Sequence, residues 1–454
     1  MIGCSKSWRR AAARLLTGLA APALLSVAGV GRCAEPPAVI VAAPAIAPLA
    51  DLDSFRATAL ERQPSIAAAR ASLAAALSRS QSLNNLPFGS ALLARDLPVR
   101  KQQAGLGIQS YQAGLCVAEA ETRYAVTYFY IANLYAQQQQ DVLLNSKKDL
   151  DELHRLVKGF IDNEQHKKFI SREHMNLVNS YVETLEGRRQ ETLQGAERAL
   201  AALREAIGVG ADCGEIRLAP ARMPMACLHA STTRDEVVAL ALARRGEVLQ
   251  AATFAQVTCL EISAQGRTFL PSLRTFASGS DIHAITVPSS VHGMEYRPGA
   301  LAPEMPIMLS GSRSGRIDQA SSYLARAEAV AEKTRNLVTL EAEDAFFRWQ
   351  EARIKAEHLK KAAVDAEKYG RFMIQRYRDA AEGGFRVADP TREPAATRIE
   401  EVLLAGATSV RMRIDANRAY FEYLLTLASL ERVTVGGFHV EFCPAPEPVP
   451  TTGK

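Results

Sequence analysis

The feature that most constrains this chain is that it carries one ordered set of local signals twice. ALERQPSI (Ala59–Ile66) returns as ALARRGEV (Ala241–Val248), 182 positions later. NLPFG around Leu86-Pro87 returns as FLPSL around Leu270-Pro271, at an offset of 184. PVRKQQAGLGI (Pro98–Ile108) shares Arg100, Gln103 and Ala104 with SGRIDQASSYL (Ser314–Leu324), where they stand as Arg316, Gln319 and Ala320, 216 positions on. Finally LREAIGVG from Leu203 matches LERVTVGG from Leu430, at 227. Four echoes in the same order mark a tandem repeat. The jump from 184 to 216 locates an insertion: 12 residues (88–99) separate Leu-Pro from the Arg motif in the first half, and 44 (272–315) in the second.

The repeat divides the chain. Residues 51–210 form the first unit, 211–231 a Gly/Pro-containing linker and 232–437 the second unit, followed by a Pro-rich tail, 438–454. Each unit reads as long helices. In the first, helices are expected over Leu52–Leu83, from about Arg100 to Lys158, and on to about Ile207 after a polar turn at Ile161–Lys168. In the second they are expected over Thr232–Gln265, Arg316–Ala380 and Ala396–Val433. The apolar stripe Leu150, Leu153, Leu156, Val157, Phe160 and Ile161 has the helical period. At about 1.5 Å per residue the Arg316–Ala380 helix spans roughly 100 Å, so two shorter helices stacked end to end run alongside it. With 6% aromatic residues and abundant Ala, such lengths suit a coiled-coil-like wall of helical hairpins. The long insert holds candidate strands at Leu273–Ser278 and Pro306–Ser310.

The N-terminus reads as an export signal (1–34), with Lys6, Arg9, Arg10 and Arg14 ahead of an apolar run from Leu15 to Val30. A Pro/Ala-rich leader (35–50) follows. Cys33 raises a lipid anchor, which Arg32 disfavours, and Cys213 and Cys227 stand as either a disulfide or two thiols. No later stretch approaches a membrane-spanning helix, so any insertion is expected to use strands.

The chemistry-bearing motifs are missing. There is no His-Glu-x-x-His, Gly-x-Ser-x-Gly, Walker loop or dinucleotide fingerprint. No enzyme activity, cofactor or metal is expected. The net charge of +5 has no basic block behind it, which excludes nucleic acid as a partner. His154, His166 and His174 read as surface histidines near a hairpin tip, and Glu341, Glu343 and Asp344 as a solvated helix face. The second tip is richer. QRYRD (Gln375–Asp379) closes one helix and RIEEV (Arg398–Val402) opens the next, and opposite charges there are able to latch neighbouring hairpins.

The whole pattern resembles the TolC-like outer-membrane efflux family. The resemblance rests on the signal, the tandem halves, Leu86-Pro87 and Leu270-Pro271, Gly315-Arg316, and the aromatic pairs Tyr128-Phe129 and Phe346-Phe347. Arg376-Tyr377 and, more loosely, Val157–Gly159 match the family's tip motif; coverage runs from about Asp51 to Gly437. It implies a mainly α fold, an α-helical barrel of hairpins with a small outer-membrane β-barrel, assembled as a homotrimer. It further implies a passive conduit in the outer membrane, in contact with its lipid, with most of the chain in the periplasm. A periplasmic adaptor and an inner-membrane transporter are the implied partners. The implied periplasmic gate is Arg376, Tyr377, Arg378, Glu400 and Glu401. Two departures stand out: the short first insert, and extra residues at the second tip, Gly383–Pro394. The alternatives are a non-conducting coiled-coil protein of the envelope or a periplasmic adaptor.

Overall fold

The computed structural model of the chain describes residues 51–87, 94–162, 172–210, 216, 218, 222–226, 232–268, 275, 287–288, 295–296, 304–382, 399–438 and 442–443. The signal, the leader, Cys33, Cys213, Cys227, Leu270-Pro271, His166 and Gly383–Pro394 lie outside the described residues.

Among the described residues each half has the same four helices. The first half has α1 (Leu52–Arg62), α2 (Pro64–Asn84), α3 (Leu97–Asp162) and α4 (Arg172–Ile207), of 11, 21, 66 and 36 residues. The second half has α5 (Arg234–Arg244), α6 (Gly246–Arg267), α7 (Arg313–Glu382) and α8 (Ile399–Val433), of 11, 22, 70 and 35. Helix starts are offset by 182, 182, 216 and 227, which include three of the four offsets of the sequence echoes.

The chemistry that shapes the elements is also repeated, partly with different residues. Asp51 caps α1 by accepting from Ser54 N at 2.9 Å, a bond that holds its carboxyl below the usual range. Thr233, at the equivalent position, forms a reciprocal capping box with Glu236. Single helices were expected over Leu52–Leu83 and Thr232–Gln265, but each is broken in two. The hinge residues Gln63 (φ −62°, ψ 122°) and Arg245 (φ −68°, ψ 128°) are both extended. In the first half Pro64 imposes the break by disfavouring α geometry before it. In the second, Gly246 permits close approach: a Cβ there would lie 2.3 Å from the Ala113 carbonyl oxygen on α3. At the far ends, Gly208 N donates to Glu205 O (2.9 Å) and Val209 N to Arg204 O (3.0 Å); 227 positions on, Val435 N donates to Arg432 O (3.1 Å) and Gly436 N to Glu431 O (2.9 Å). Both are Schellman ends. Gly208 takes φ +77° freely, whereas Val435 holds φ +49° with a β-branched side chain.

The long helices α3 and α7 organise the packing. α2, α4, α6 and α8 lie against α3, while α6 and α8 also lie against α7. α1 packs on α3 and α4, and α5 on α7. The helices at the hinge level share one apolar core, in which Phe55, Val126, Tyr130 and Leu203 of the first half meet Val237, Ala342, Phe346 and Leu430 of the second. These residues are repeat counterparts of each other, and all eight are buried.

The strands are short. β1 (Met225–Ala226) pairs antiparallel with β4 (Phe442–Cys443), joining the linker to the C-terminal segment. β2 (Val287–Pro288) pairs with β3 (Glu295–Tyr296), between the two candidate strands of the long insert rather than within either. Pro306–Ser310 is not a strand; of the other candidate only Thr275 is described, and it donates through N to Ile307 O at 2.7 Å and through Oγ1 to the Pro306 carbonyl.

Candidate functional site: the hairpin tips and two buried polar chains

At the tip, α3 with α4 and α7 with α8 form two hairpins fastened to each other. Leu153, Val157 and Val178 of the first hairpin pack with Tyr377, Ile399, Val402 and Leu403 of the second in a small separate core. Burial pushes the Tyr377 hydroxyl up to about 12, with the Glu400 charge adding to the effect. Two polar straps flank this core. Arg378 donates to Glu152 on α3, and His174 Nε2 on α4 lies 3.1 Å from Glu400 Oε1. Arg376 and Glu401 are exposed. Arg378 and Glu400 therefore reach across to the first hairpin rather than to each other. Glu152 and His174, their partners, carry no signal in the sequence that marks them for this.

Deeper in, the repeated Arg motifs meet on one helix. Arg100 donates to Asp96 (Nε, 3.0 Å) and to Glu261 of α6 (Nη2, 3.0 Å), and Gln103 donates to both Glu261 and the Val257 carbonyl at 3.0 Å. Gln265, one turn on, donates to Glu261 (2.7 Å) and accepts from Arg316 Nε (2.9 Å). Arg316 also donates to the carbonyls of Gly311 and Thr268, each at 3.0 Å. The two copies of Arg-x-x-Gln-Ala thus clamp α6 between α3 and α7. Burial would raise the Glu261 carboxyl, but its bonds to Arg100, Gln103 and Gln265 outweigh that and hold it below the usual range.

A second buried chain sits at the hinge. Arg245 donates to Glu247 and Glu341, and Arg432 donates to Glu341 and to Glu121 (2.7 Å), with its guanidinium 5.2 Å from the Tyr124 ring centroid. It ties α3, the α5–α6 hinge, α7 and α8 together. The expectation of a solvated acidic face is corrected at Glu341, which is buried because the hinge brings Arg245 onto it; Glu343 and Asp344 are partly exposed. These paired charges position helices. They present no nucleophile beside a base. Among the described residues no group of three or more His, Cys, Asp or Glu is placed to hold a metal, and no helix is long and apolar enough to cross a membrane. Cys116 and Cys259 are free thiols.

No protein-family model and no curated protein matches the sequence. Solved structures do match. The outer-membrane channel OprN superposes with a TM-score of 0.62 at 14% identity, covering 85% of this chain and 90% of that one. The outer membrane protein VceC of Vibrio cholerae gives 0.62 at 15%, covering 86% and 97%. The fold is TolC-like. The open state of the Neisseria gonorrhoeae MtrE outer membrane channel gives 0.57 at 16%, covering 85% and 89%. The TolC-like fold at such low identity reflects what the repeat preserves: helix lengths, hinges and caps, which many side chains satisfy.

Proposed function

We propose that this chain is the outer-membrane channel subunit of an export system: three copies close a helical tube that conducts substrate passively. An inner-membrane transporter supplies the energy through a periplasmic adaptor, and most of the chain stands in the periplasm after export by its N-terminal signal. The TolC-like fold supports this reading, and one observation within the chain carries the assembly. Repeat counterparts in the shared core are buried alike, but two edges differ: α6 and α8 bury residues whose counterparts on α2 and α4 are exposed, as Phe254 against Ser72 and Leu424 against Glu197, and α3 covers residues whose counterparts on α7 are bare. On α3, Ile131 and Leu153 are buried and Gln138 bonds Asn417 of α8. Their counterparts on α7, Phe347, Tyr369 and Ile354, are 53%, 54% and 52% exposed. With Phe372 they fall within a sector of about 60° on an ideal helix, one bare stripe. α3 has α6 and α8 along this flank; among the described residues no helix covers α7 there, and α2 and α4, the counterparts of α6 and α8, pack on α3 rather than on α7. Each open edge is the complement of the other, and a ring of copies covers both. A contiguous apolar stripe of this kind marks an interaction surface.

The tip residues Arg376, Tyr377, Arg378, Glu400 and Glu401 form the gate in this reading, with the straps to Glu152 and His174 holding the second hairpin inward. Cell fractionation, native mass in mild detergent and single-channel recording test it together. Outer-membrane trimers whose conductance rises when Arg378→Ala and Glu400→Gln are combined support the reading. A monomer, or an inserted trimer with no conductance in either form, refutes it.

A further inference from the structure

The second Arg motif fixes where the long insert leaves the helices, and the described parts of that insert then run back along the helices rather than away from them. Arg316 donates to the carbonyl of Thr268, just past the end of α6, and to that of Gly311, two residues before α7. Gly311 takes φ +95°, and the chain reverses there. Upstream of the reversal, Ser310 N donates to Gln319, and Gln319 donates back to the Ser310 carbonyl at 3.0 Å. Leu309 and Met305 share a small core with Phe254 of α6 and Ala320 and Ala327 of α7. Glu304 pairs with Arg326 at 3.4 Å. Residues 304–310 therefore run antiparallel to α7, beside its residues 319–326. Arg326 stands thirteen residues along α7 from Arg313, so Glu304 lies roughly 15–20 Å back from the start of that helix, toward the hinge. The other arm is set back as well: Thr275, bonded to Ile307 and Pro306, reaches the space between α2 and α3 beside Ala76, Gly107 and Tyr111.

Covalent length then limits how far either insert can reach. In the first half twelve residues separate Asn84 from Leu97, and Ala94 and Asp96 among them already accept from the first amides of α3. Fully extended, all twelve cover about 40 Å, a reach of about 20 Å out and back. The apolar band of an outer-membrane barrel is about 25 Å tall. In the second half β2 and β3 pair within one residue of the register set by Thr275 and Ile307, so this hairpin has its base on the helices. From Glu304 to the middle of the turn between β2 and β3 is about twelve residues, a rise of about 30 Å at the ~45° tilt of a barrel strand. Roughly 15–20 Å of it only regains the level of Arg313, leaving about 10–15 Å. Pro298 and Pro303 stand in the same arm and have no N–H to give a ladder.

We propose that no strand of this chain crosses the outer membrane: the helical tube ends against the periplasmic face, and a closed β-barrel from another chain, seated over the ends of α2, α3, α6 and α7, completes the pore through the lipid. Lipid admits only helices and closed barrels. No described helix is a spanning one, and neither insert is long enough to go out and back. One hairpin per copy gives three copies only six strands, fewer than the eight with which membrane barrels begin. Even eight strands enclose a space that side chains fill, with no channel. The second insert instead braces the tube, with Met305 and Leu309 filling the groove between α6 and α7. This rests on the reading of the chain as a channel subunit and narrows it to the periplasmic part of the conduit. The conductance expected above is that of the tube extracted together with its barrel.

Glu295→Cys, at the start of β3, reports where the hairpin stands. In cells producing the full chain, with the native mass of the wild type, a maleimide on a polymer too large for porins should label the variant no more than wild type while the outer membrane is intact. Once that membrane is permeabilised, labelling should rise several-fold above wild type. Labelling in intact cells, or in neither state, overturns the inference. The second arm is electrical. Wild-type oligomer freed of other proteins should give no current steps in planar bilayers of phosphatidylethanolamine and phosphatidylglycerol, whereas the assembly extracted whole from outer membranes should give them. Steps from the oligomer alone overturn the inference. An oligomer labelled only after permeabilisation but silent in both preparations upholds the position of the hairpin and overturns the barrel partner. Absence of any oligomer by native mass overturns the channel-subunit reading instead.

Discussion

Replacing Glu261 by Ala probes whether α6 is held by the two Arg motifs or merely by apolar packing. The carboxylate is 1% exposed and accepts from Arg100, Gln103 and Gln265. Removing one partner of a buried pair typically costs about 3–5 kcal/mol, because the other charge is left without compensation. Here Arg100 keeps Asp96 at 3.0 Å and its side chain is 17% exposed, while Gln103 keeps the Val257 carbonyl. The loss is therefore set at about 2–3 kcal/mol, which is about 30- to 150-fold in a local opening equilibrium. Amide exchange of α6, read by mass spectrometry on the full chain, reports that opening directly. Glu261→Leu together with Arg100→Met should recover most of the loss, since apolar groups of similar volume replace buried pairs at little cost. The pH dependence has a definite sign. The carboxyl is held below its ordinary value of 4.5, so its contribution is present above that value and lost as pH falls below it. A change of less than threefold in α6 exchange for Glu261→Ala, or a double variant as unstable as the sum of the single ones, refutes the clamp.

Three further outcomes are expected. Val435→Gly should stabilise the C-terminal end of α8 by about 0.5–1 kcal/mol, seen as slower exchange there, because a β-branched residue at φ +49° is strained and glycine is not. Gly246→Ala should cost about 1–3 kcal/mol and lower the thermal midpoint of the helical circular dichroism signal, since the new Cβ would press on the Ala113 carbonyl. Raising the pH should loosen the tip: Tyr377 is lifted from 10.0 to about 12 in the folded chain, so its protonated form is favoured there. Its contribution is intact below pH 10 and lost as the pH climbs through about 12, and Tyr377→Phe should abolish that part of the alkaline loosening in exchange of the α7 end.

The parts legible in the sequence were those with a local cause. The lengths of the long helices followed from periodicity, and their common ends from the matching LREAIGVG and LERVTVGG stretches, while the caps Asp51 and Thr233 came only with the structure. The repeat offsets 182, 216 and 227 reappear between the helix starts of the two halves, but the start at Gly246 was not expected. The hinges were less legible. Pro64 is a visible signal, but Arg245-Gly246 has the same backbone for a reason that lies 133 positions away, at the carbonyl of Ala113. Polar residues misled for the same reason. Glu341 has the composition of a solvated face until Arg245 and Arg432 arrive from other helices. At the tip, Arg376, Tyr377, Arg378, Glu400 and Glu401 could be singled out by charge and position, but their sorting into buried, strapped and exposed groups depends on Leu153, Glu152 and His174 of the other hairpin.

The same reasoning shows why this architecture tolerates so much sequence change. Where counterparts are covered alike, as at Leu203 and Leu430, both halves keep apolar residues and the repeat stays visible. Where one half packs within its own chain and the other is open, as at Gln138 and Ile354, the residues differ because their surroundings differ. Divergence between the halves runs along both open edges, on α3 against α7, as at Gln138 and Ile354, and on α6 and α8 against α2 and α4, as at Phe254 and Ser72. A chain whose halves each closed on themselves would have no reason to diverge along those edges and leave Phe347, Ile354, Tyr369 and Phe372 exposed in one stripe. In the proposed tube the imperfections of the repeat, more than the repeat itself, mark the side that a further copy covers.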